Sequence, residues 1–230
     1  MKTLGMIGGI APESTIEYYR TIIALYRQRR TDDSYPPMII NSINLQRLIT
    51  LVTANERAAL VEWFHNELLK LKGAGADFAI ISSNTPHLVF DELQRISPLP
   101  LISIVEPAAT EAARLKWKRV GLFGTRFTMR AEFYPAVFSK QGIGIVTPTP
   151  EEQEYIHSKY MGELIHGVFL DETRESLLRI AHRMQSDDSI DGLVLGGTEL
   201  PLILQQAPAG LPFLDTTKVH AARAVDEMFA

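Results

Sequence analysis

Two segments of this chain run an apolar stretch into a short polar turn: AIISSNTPHLVF at 79–90 and GLVLGGTELPLI at 192–203. The first turn offers Ser83, Asn84, Thr85 and His87, and the second Gly197, Thr198 and Glu199. Hydroxyl and amide side chains, together with backbone amides, can bind a carboxylate without supplying a formal charge. Glu199 on such a turn suits a general base, an orienting group, or a cap for the segment that follows. Ser83 acts as a nucleophile only with a base in hydrogen-bond reach. His87 is the candidate base, although Pro86 intervenes, and no Gly-x-Ser-x-Gly elbow surrounds the serine. The competing reading of SSNTPH is a helix cap with a structural histidine.

Two further turns carry related chemistry. GGIAPEST places Gly8, Gly9 and Ile10 between an apolar strand and a helix start, where exposed backbone N–H groups favour an anion. The spacing is neither the dinucleotide fingerprint nor a P-loop, and a simple tight turn is the alternative. GTRFTM sets Thr125 and Thr128 just past another strand, as ligand hydroxyls or as helix caps. Arg47, near a strand end, suits a bidentate clamp on a distal carboxylate or a solvent-exposed helix position. LDTTKVH adds Asp215, Thr216 and His220, with Asp215 and His220 expected to pair in space with Glu199 or His87. The sequence contains no cysteine, which excludes disulfides, thiolate metal sites and thiol catalysis. Its six histidines are scattered without paired spacing, so no metal site is expected.

The elements that must position these groups alternate between strand and helix. TLGMI reads as a first strand and PMIINSI as a second. RAALVEWFHNELLKLKGAG is an amphipathic helix, with Leu60, Val61, Phe64, Leu68 and Leu71 on one stripe and Gly73 and Gly75 at its end. FAII and LPLISI follow as third and fourth strands. The pattern then restarts: KRVGLFGT matches KTLGMIGG, TRESLLRIAHRM precedes DGLVLGG, and LPFLDTT matches LPLISIV. This duplication implies an α/β fold of two pseudo-symmetric lobes, each a mostly parallel sheet flanked by helices. Residues 1–115 with 214–230 are expected to form the first lobe and 116–213 the second. The last helix should pack back on the first lobe. Ligands of such sheets bind at the C-terminal ends of strands, which places the expected site in a cleft between the lobes.

Bulk properties narrow the function class. A chain of 230 residues with formal charge −4 does not suit a general nucleic-acid or membrane-surface binder. The basic run YRQRR reads as the solvated end of a helix. No apolar run is long enough to span a bilayer, and the N-terminus lacks a signal-peptide pattern, so a cytoplasmic location is expected.

Taken together and in this order, GGIAPEST, SNTPH, GTRFTM, GGTEL and LPFLDTTKVHA resemble the aspartate/glutamate racemase family over essentially the whole chain. The resemblance implies two pseudo-symmetric α/β lobes with the active site in their cleft, a homodimer, an amino-acid or carboxylate ligand, and no pyridoxal cofactor or metal. It also implies two cysteines flanking the substrate Cα, one removing and the other returning the proton. Those positions here are Ser83 and Gly197. A free thiol titrates at about 8.5 and a serine hydroxyl several units higher, while glycine carries no proton-transfer group. Two-thiol racemisation is therefore not expected. By the same analogy Asn84, Thr85, Thr125 and Thr198 hold the α-carboxylate side, with Gly9, Ile10 and Thr128 also at the ligand, and Arg47 takes a side-chain carboxylate. The lysine that some aspartate-specific members place before the glycine of a late helix is absent, since Ile165 precedes His166 and Gly167. The implied function is thus a pyridoxal-independent amino-acid racemase or isomerase type. The alternatives are an inactive ligand-binding member, a decarboxylase or lyase of the superfamily using Ser83, Glu199 or His87, and a chain whose cysteines have been replaced.

Overall fold

The computed structural model describes residues 1–207 and 210–230. The chain divides into two compact units, Met1–Ile104 with His220–Ala230 and Val105–Val219.

In the first unit, β1 (Leu4–Gly8), β2 (Met38–Ser42) and β3 (Phe78–Ile81) form a parallel sheet in the order β2-β1-β3. Side chains alternate between its faces with the period of two that a strand imposes. Ile7, Ala79 and Ile81 pack with Leu60, Phe64, Leu68 and Leu71 of the helix Arg57–Gly73. Leu4, Met6, Phe78 and Ile80 pack with Tyr18, Ile22 and Tyr26 of the helix Pro12–Arg27 and with Ala221, Ala224, Val225 and Met228 of the helix Thr216–Phe229. Covering both faces explains why β1 and β3 read as continuous apolar runs rather than alternating ones. From His220 onward the last helix packs on the first sheet.

The second unit repeats the plan. β4 (Arg119–Phe123), β5 (Gly144–Val146), β6 (Gly192–Leu195) and β7 (Phe213–Asp215) form a parallel sheet in the order β5-β4-β6-β7. Phe123, Leu193 and Leu195 pack with Leu177, Ala181 and Met184 of the helix Asp171–Asp188 and with Ile156 and Tyr160 of the helix Pro150–Gly162. The helix Val105–Arg114 lies against the helix Phe133–Phe138 and β7. It therefore belongs to the second unit, and the division falls before this helix, at Ile104/Val105.

Backbone hydrogen bonds fix the correspondence between the units. Ala79 N–H donates to Pro100 C=O at 2.9 Å, and Leu193 N–H to Pro212 C=O at 3.0 Å. Three residues further on, Ser82 N–H donates to Ile7 C=O at 2.9 Å and Gly196 N–H to Phe123 C=O at 2.7 Å. Ser83 and Gly197 are therefore equivalent positions, two residues past the matched ends of β3 and β6. One expected strand does not form. LPLISI makes a single bridge, Leu101 beside Ala79, rather than a ladder. Pro98 and Pro100 lack the N–H groups that a ladder would use on this edge.

Candidate functional site

The candidate residues of each unit lie on turns at strand C-terminal ends, and glycine makes the first of these turns possible. Gly9 has φ +81°, where L side chains are strained. A Cβ there would lie 2.5 Å from Ile43 O and Ser42 Oγ. A Cβ on Gly8 would lie 2.6 Å from Thr15 Cγ2. The Gly9 amide donates to Thr15 Oγ1 at 2.7 Å, so this member of the expected anion cradle is used internally. Ile10 is buried beside it, and Ala11 caps a helix that opens on Pro12 and Glu13. Ser14 Oγ donates its one proton to Ala11 O at 2.7 Å, shared with Ser82 O at 3.3 Å, which brings the β1 turn beside the β3 turn.

At the end of β3, Ser83 and Asn84 are buried and Thr85 is half-buried. Ser83 N–H donates to Ile81 C=O at 2.8 Å, and Asn84 C=O accepts from His87 N–H at 2.9 Å. Thr85 opens a 3₁₀ turn, Thr85–Val89. His87 stacks on Phe90 with ring centroids 4.7 Å apart. Its Nε2 accepts from Ile104 N–H at 3.0 Å. An imidazole that accepts at Nε2 carries its proton on Nδ1, which faces the backbone of Ser83 and Asn84. Burial, reinforced by the neighbouring His220, pushes its pKa down to about 3. His87 therefore fits the structural-histidine reading: its lone pair is engaged, and it positions the turn.

His220 lies in the same unit. Its Nε2 meets Ile102 O at 3.0 Å and its Nδ1 meets Tyr18 Oη at 2.7 Å. The carbonyl requires an Nε2–H, so Nδ1 accepts the tyrosine proton. Both nitrogens are engaged by Tyr18 and Ile102 rather than by Glu199 or His87, the partners expected for it, although the ring neighbours His87. Asp215 instead caps the last helix, its Oδ1 accepting from Thr217 N–H at 2.9 Å and Lys218 N–H at 3.1 Å. Burial lowers the His220 pKa to about 4. Arg47 is exposed on the helix Leu45–Thr53, its guanidinium 4.8 Å from the Trp63 ring centroid in a cation–π contact.

In the second unit, Thr125 caps the short helix Arg126–Met129 through Thr128 N–H, and the two threonine hydroxyls lie 3.3 Å apart. Thr125 thus serves as a helix cap. A Cβ on Gly124 would lie 2.8 Å from Gly196 O, so the turns after β4 and β6 abut. Thr198 and Glu199 are buried, with Glu199 only 1% exposed. Glu199 Oε2 accepts from Thr198 Oγ1 at 2.9 Å and from the Tyr160 hydroxyl. Burial, followed by the charge of Glu199, raises the Tyr160 pKa well above the ordinary phenol range. Thr216 Oγ1 donates to Leu195 O at 2.8 Å beneath the same turn.

Two residues of this region escape sequence reading. Tyr160 shares a buried stripe with Gln153 and Ile156, which marks it as core and nothing more. Thr217 Oγ1 is buried without a hydrogen-bond partner among the described residues. Replacing an unsatisfied buried hydroxyl by an isosteric methyl removes a desolvation penalty, so Thr217→Val should gain up to about 1 kcal/mol of stability. Urea denaturation checks this, and a loss of stability would mean that the hydroxyl has a partner. Among the described residues there is no group of three or more His, Asp or Glu side chains placed to hold a metal, and no helix long and apolar enough to cross a membrane.

A family model described as Asp/Glu/Hydantoin racemase matches residues 7–224. A broad specificity amino-acid racemase, RacX of Bacillus subtilis, is 22% identical over 245 aligned positions, covering 99% of this chain and 98% of that protein. A glutamate racemase of Aquifex aeolicus is 26% identical over 168 aligned positions, covering 68% of this chain and only 60% of the relative's length. Among solved structures, an aspartate racemase homologue from Pyrococcus horikoshii superposes with a TM-score of 0.82 at 32% identity, covering 100% of both chains.

Proposed function

The chain belongs to the Asp/Glu/Hydantoin racemase family, and from that premise we propose that it binds a small amino acid or carboxylic acid through the turns that end β3 and β6. The observation that carries this reading is the burial of Ser83 and Asn84 on one turn, and of Thr198 and Glu199 on the equivalent one. Polar side chains gathered at the C-terminal ends of parallel strands are the usual recognition apparatus of α/β sheets. Asn84, Thr85, Thr125 and Thr198 hold the α-carboxylate side in this reading, with Gly9, Ile10 and Thr128 nearby. Arg47 reaches a second carboxylate only after leaving Trp63. No pyridoxal or metal takes part, and the protein works as a cytoplasmic homodimer.

Proton transfer by two thiols has no place in this chain, since Ser83 and Gly197 stand at the two positions concerned. Gly197 also favours a second reading, a ligand-binding member without turnover. Titrating the protein with L- and D-aspartate, glutamate and neutral amino acids, followed by calorimetry and by Cα–H exchange in D₂O, tests both. At least one acid should bind. Asn84→Ala should weaken it by about tenfold or more, the cost of losing a hydrogen bond to a charged group. Absence of binding by every acid would refute the reading. Binding with no exchange would select the second one.

A further inference from the structure

The space beside Gly197 is occupied. A Cβ built on this glycine would lie 2.5 Å from Tyr160 Cε2, 2.9 Å from its Oη and 3.0 Å from its Cζ. The Tyr160 ring is not a loose surface group that drifts into a gap. It is 5% exposed, packs in the same apolar cluster as Phe123 and Leu195, and its hydroxyl is bonded to Glu199, two residues beyond Gly197. A titratable phenol therefore stands where any side chain at position 197 would project, and a buried carboxylate backs it. At the equivalent turn of the first unit the His87 lone pair is engaged by Ile104 N–H.

Resting on the ligand reading above, we propose that Tyr160, backed by Glu199, is the proton-transferring residue of the second turn and works on one face of the ligand only. In the forward step the ligand Cα–H bond breaks and its electron pair remains on Cα, delocalised into the adjacent carboxyl group. The proton passes to Tyr160 Oη while the phenolic proton passes to Glu199 Oε2. Tyrosine is neutral before and after, and the single negative charge moves from Glu199 to the ligand. A phenol pushed above its ordinary range suits this relay, because it never has to hold the charge itself. The reverse step returns a proton to the face it left. Solvent deuterium is therefore incorporated with retention, without interconversion of enantiomers.

The test uses the intact protein and an amino acid shown by calorimetry to bind. Wild type in D₂O should exchange the Cα proton of one enantiomer and leave its configuration unchanged by chiral chromatography. Tyr160→Phe keeps the ring but takes a donor from buried Glu199, so the melting temperature should fall while the fold and the binding persist, and exchange falls by about 100-fold or more, the usual share of a positioned acid–base group. Glu199→Gln should lower exchange and remove the rising limb of its pH–rate profile, which a packing role alone would not do. Exchange that survives in Tyr160→Phe would overturn the assignment while leaving ligand binding intact. Binding without exchange in the wild type, or inversion as fast as exchange, would overturn it equally. Failure of every acid to bind would remove the ligand reading and this inference together.

Discussion

Lowering the pH from 7 to 5 is expected to cost the protein about 4 kcal/mol of folding stability, about 2 kcal/mol from each of His87 and His220. Both histidines are buried and neutral, with pKa values pushed down to about 3 and about 4. In the unfolded chain an imidazole titrates near 6.5, so the unfolded state takes up protons first as the pH falls. The stability contributed by keeping the rings neutral is complete above about pH 6.5. It drains away as the pH drops, and the loss levels off only once the folded pKa values are passed. Carboxylates add little in this window because they remain ionised in both states. With ordinary domains stable by roughly 5–15 kcal/mol, the loss is large. Urea midpoints measured between pH 7 and 5 check the slope, and ¹⁵N spectra check the tautomers, Nδ1–H for His87 and Nε2–H for His220. A flat stability profile over that range would contradict the buried neutral pair.

Gly197→Cys is expected to destabilise the protein by about 1–3 kcal/mol when Tyr160 is present, the usual cost of overpacking a filled core. In a Tyr160→Ala background the same substitution should be neutral or stabilising, because the thiol enters the space the ring has vacated. The coupling between the two sites should therefore be favourable by about 0.5–3 kcal/mol, the range seen for residues in contact. Activity should follow the same logic. Restoring both thiols with Ser83→Cys and Gly197→Cys should not bring racemisation while the phenol blocks position 197. Adding Tyr160→Ala should allow it. Denaturation curves for the four members of the cycle and chiral analysis of the products read the two effects separately. Additive stabilities would show that Tyr160 and residue 197 do not compete for space.

The legible part of this molecule was periodic or punctuated. The buried strands β1, β3, β4 and β6 announced themselves as short apolar runs before glycine or polar turns, and Pro12 with Glu13 marked a helix start. The restart at KRVGLFGT was enough to infer the repeated sheet. β5 was not legible, since Gly144–Val146 is three half-exposed or exposed residues that carry no period. LPLISI looked like a strand by composition, but its prolines withhold the donors a strand needs. At the site, sequence located the turns and left their roles open. Thr125 and Thr128 could be binders or caps, and only hydrogen-bond geometry shows the capping. His87 could be a base until its tautomer is fixed by an amide seventeen residues further along the chain. Tyr160 was hidden for a simpler reason. Its significance lies in what it excludes at Gly197, and exclusion of volume leaves no mark on a single sequence.

The packing of the last helix on the first sheet carries a consequence for biosynthesis. The face of the first sheet formed by Leu4, Met6, Phe78 and Ile80 is closed by Ala221, Ala224, Val225 and Met228. A ribosome makes those strand residues early and their cover more than a hundred residues later. One side of this sheet therefore waits, covered only in part by Tyr18, Ile22 and Tyr26, through the synthesis of the second unit. The nascent chain at that stage presents apolar surface to whatever is near it, and the arrival of Ala221, Ala224, Val225 and Met228 withdraws that surface.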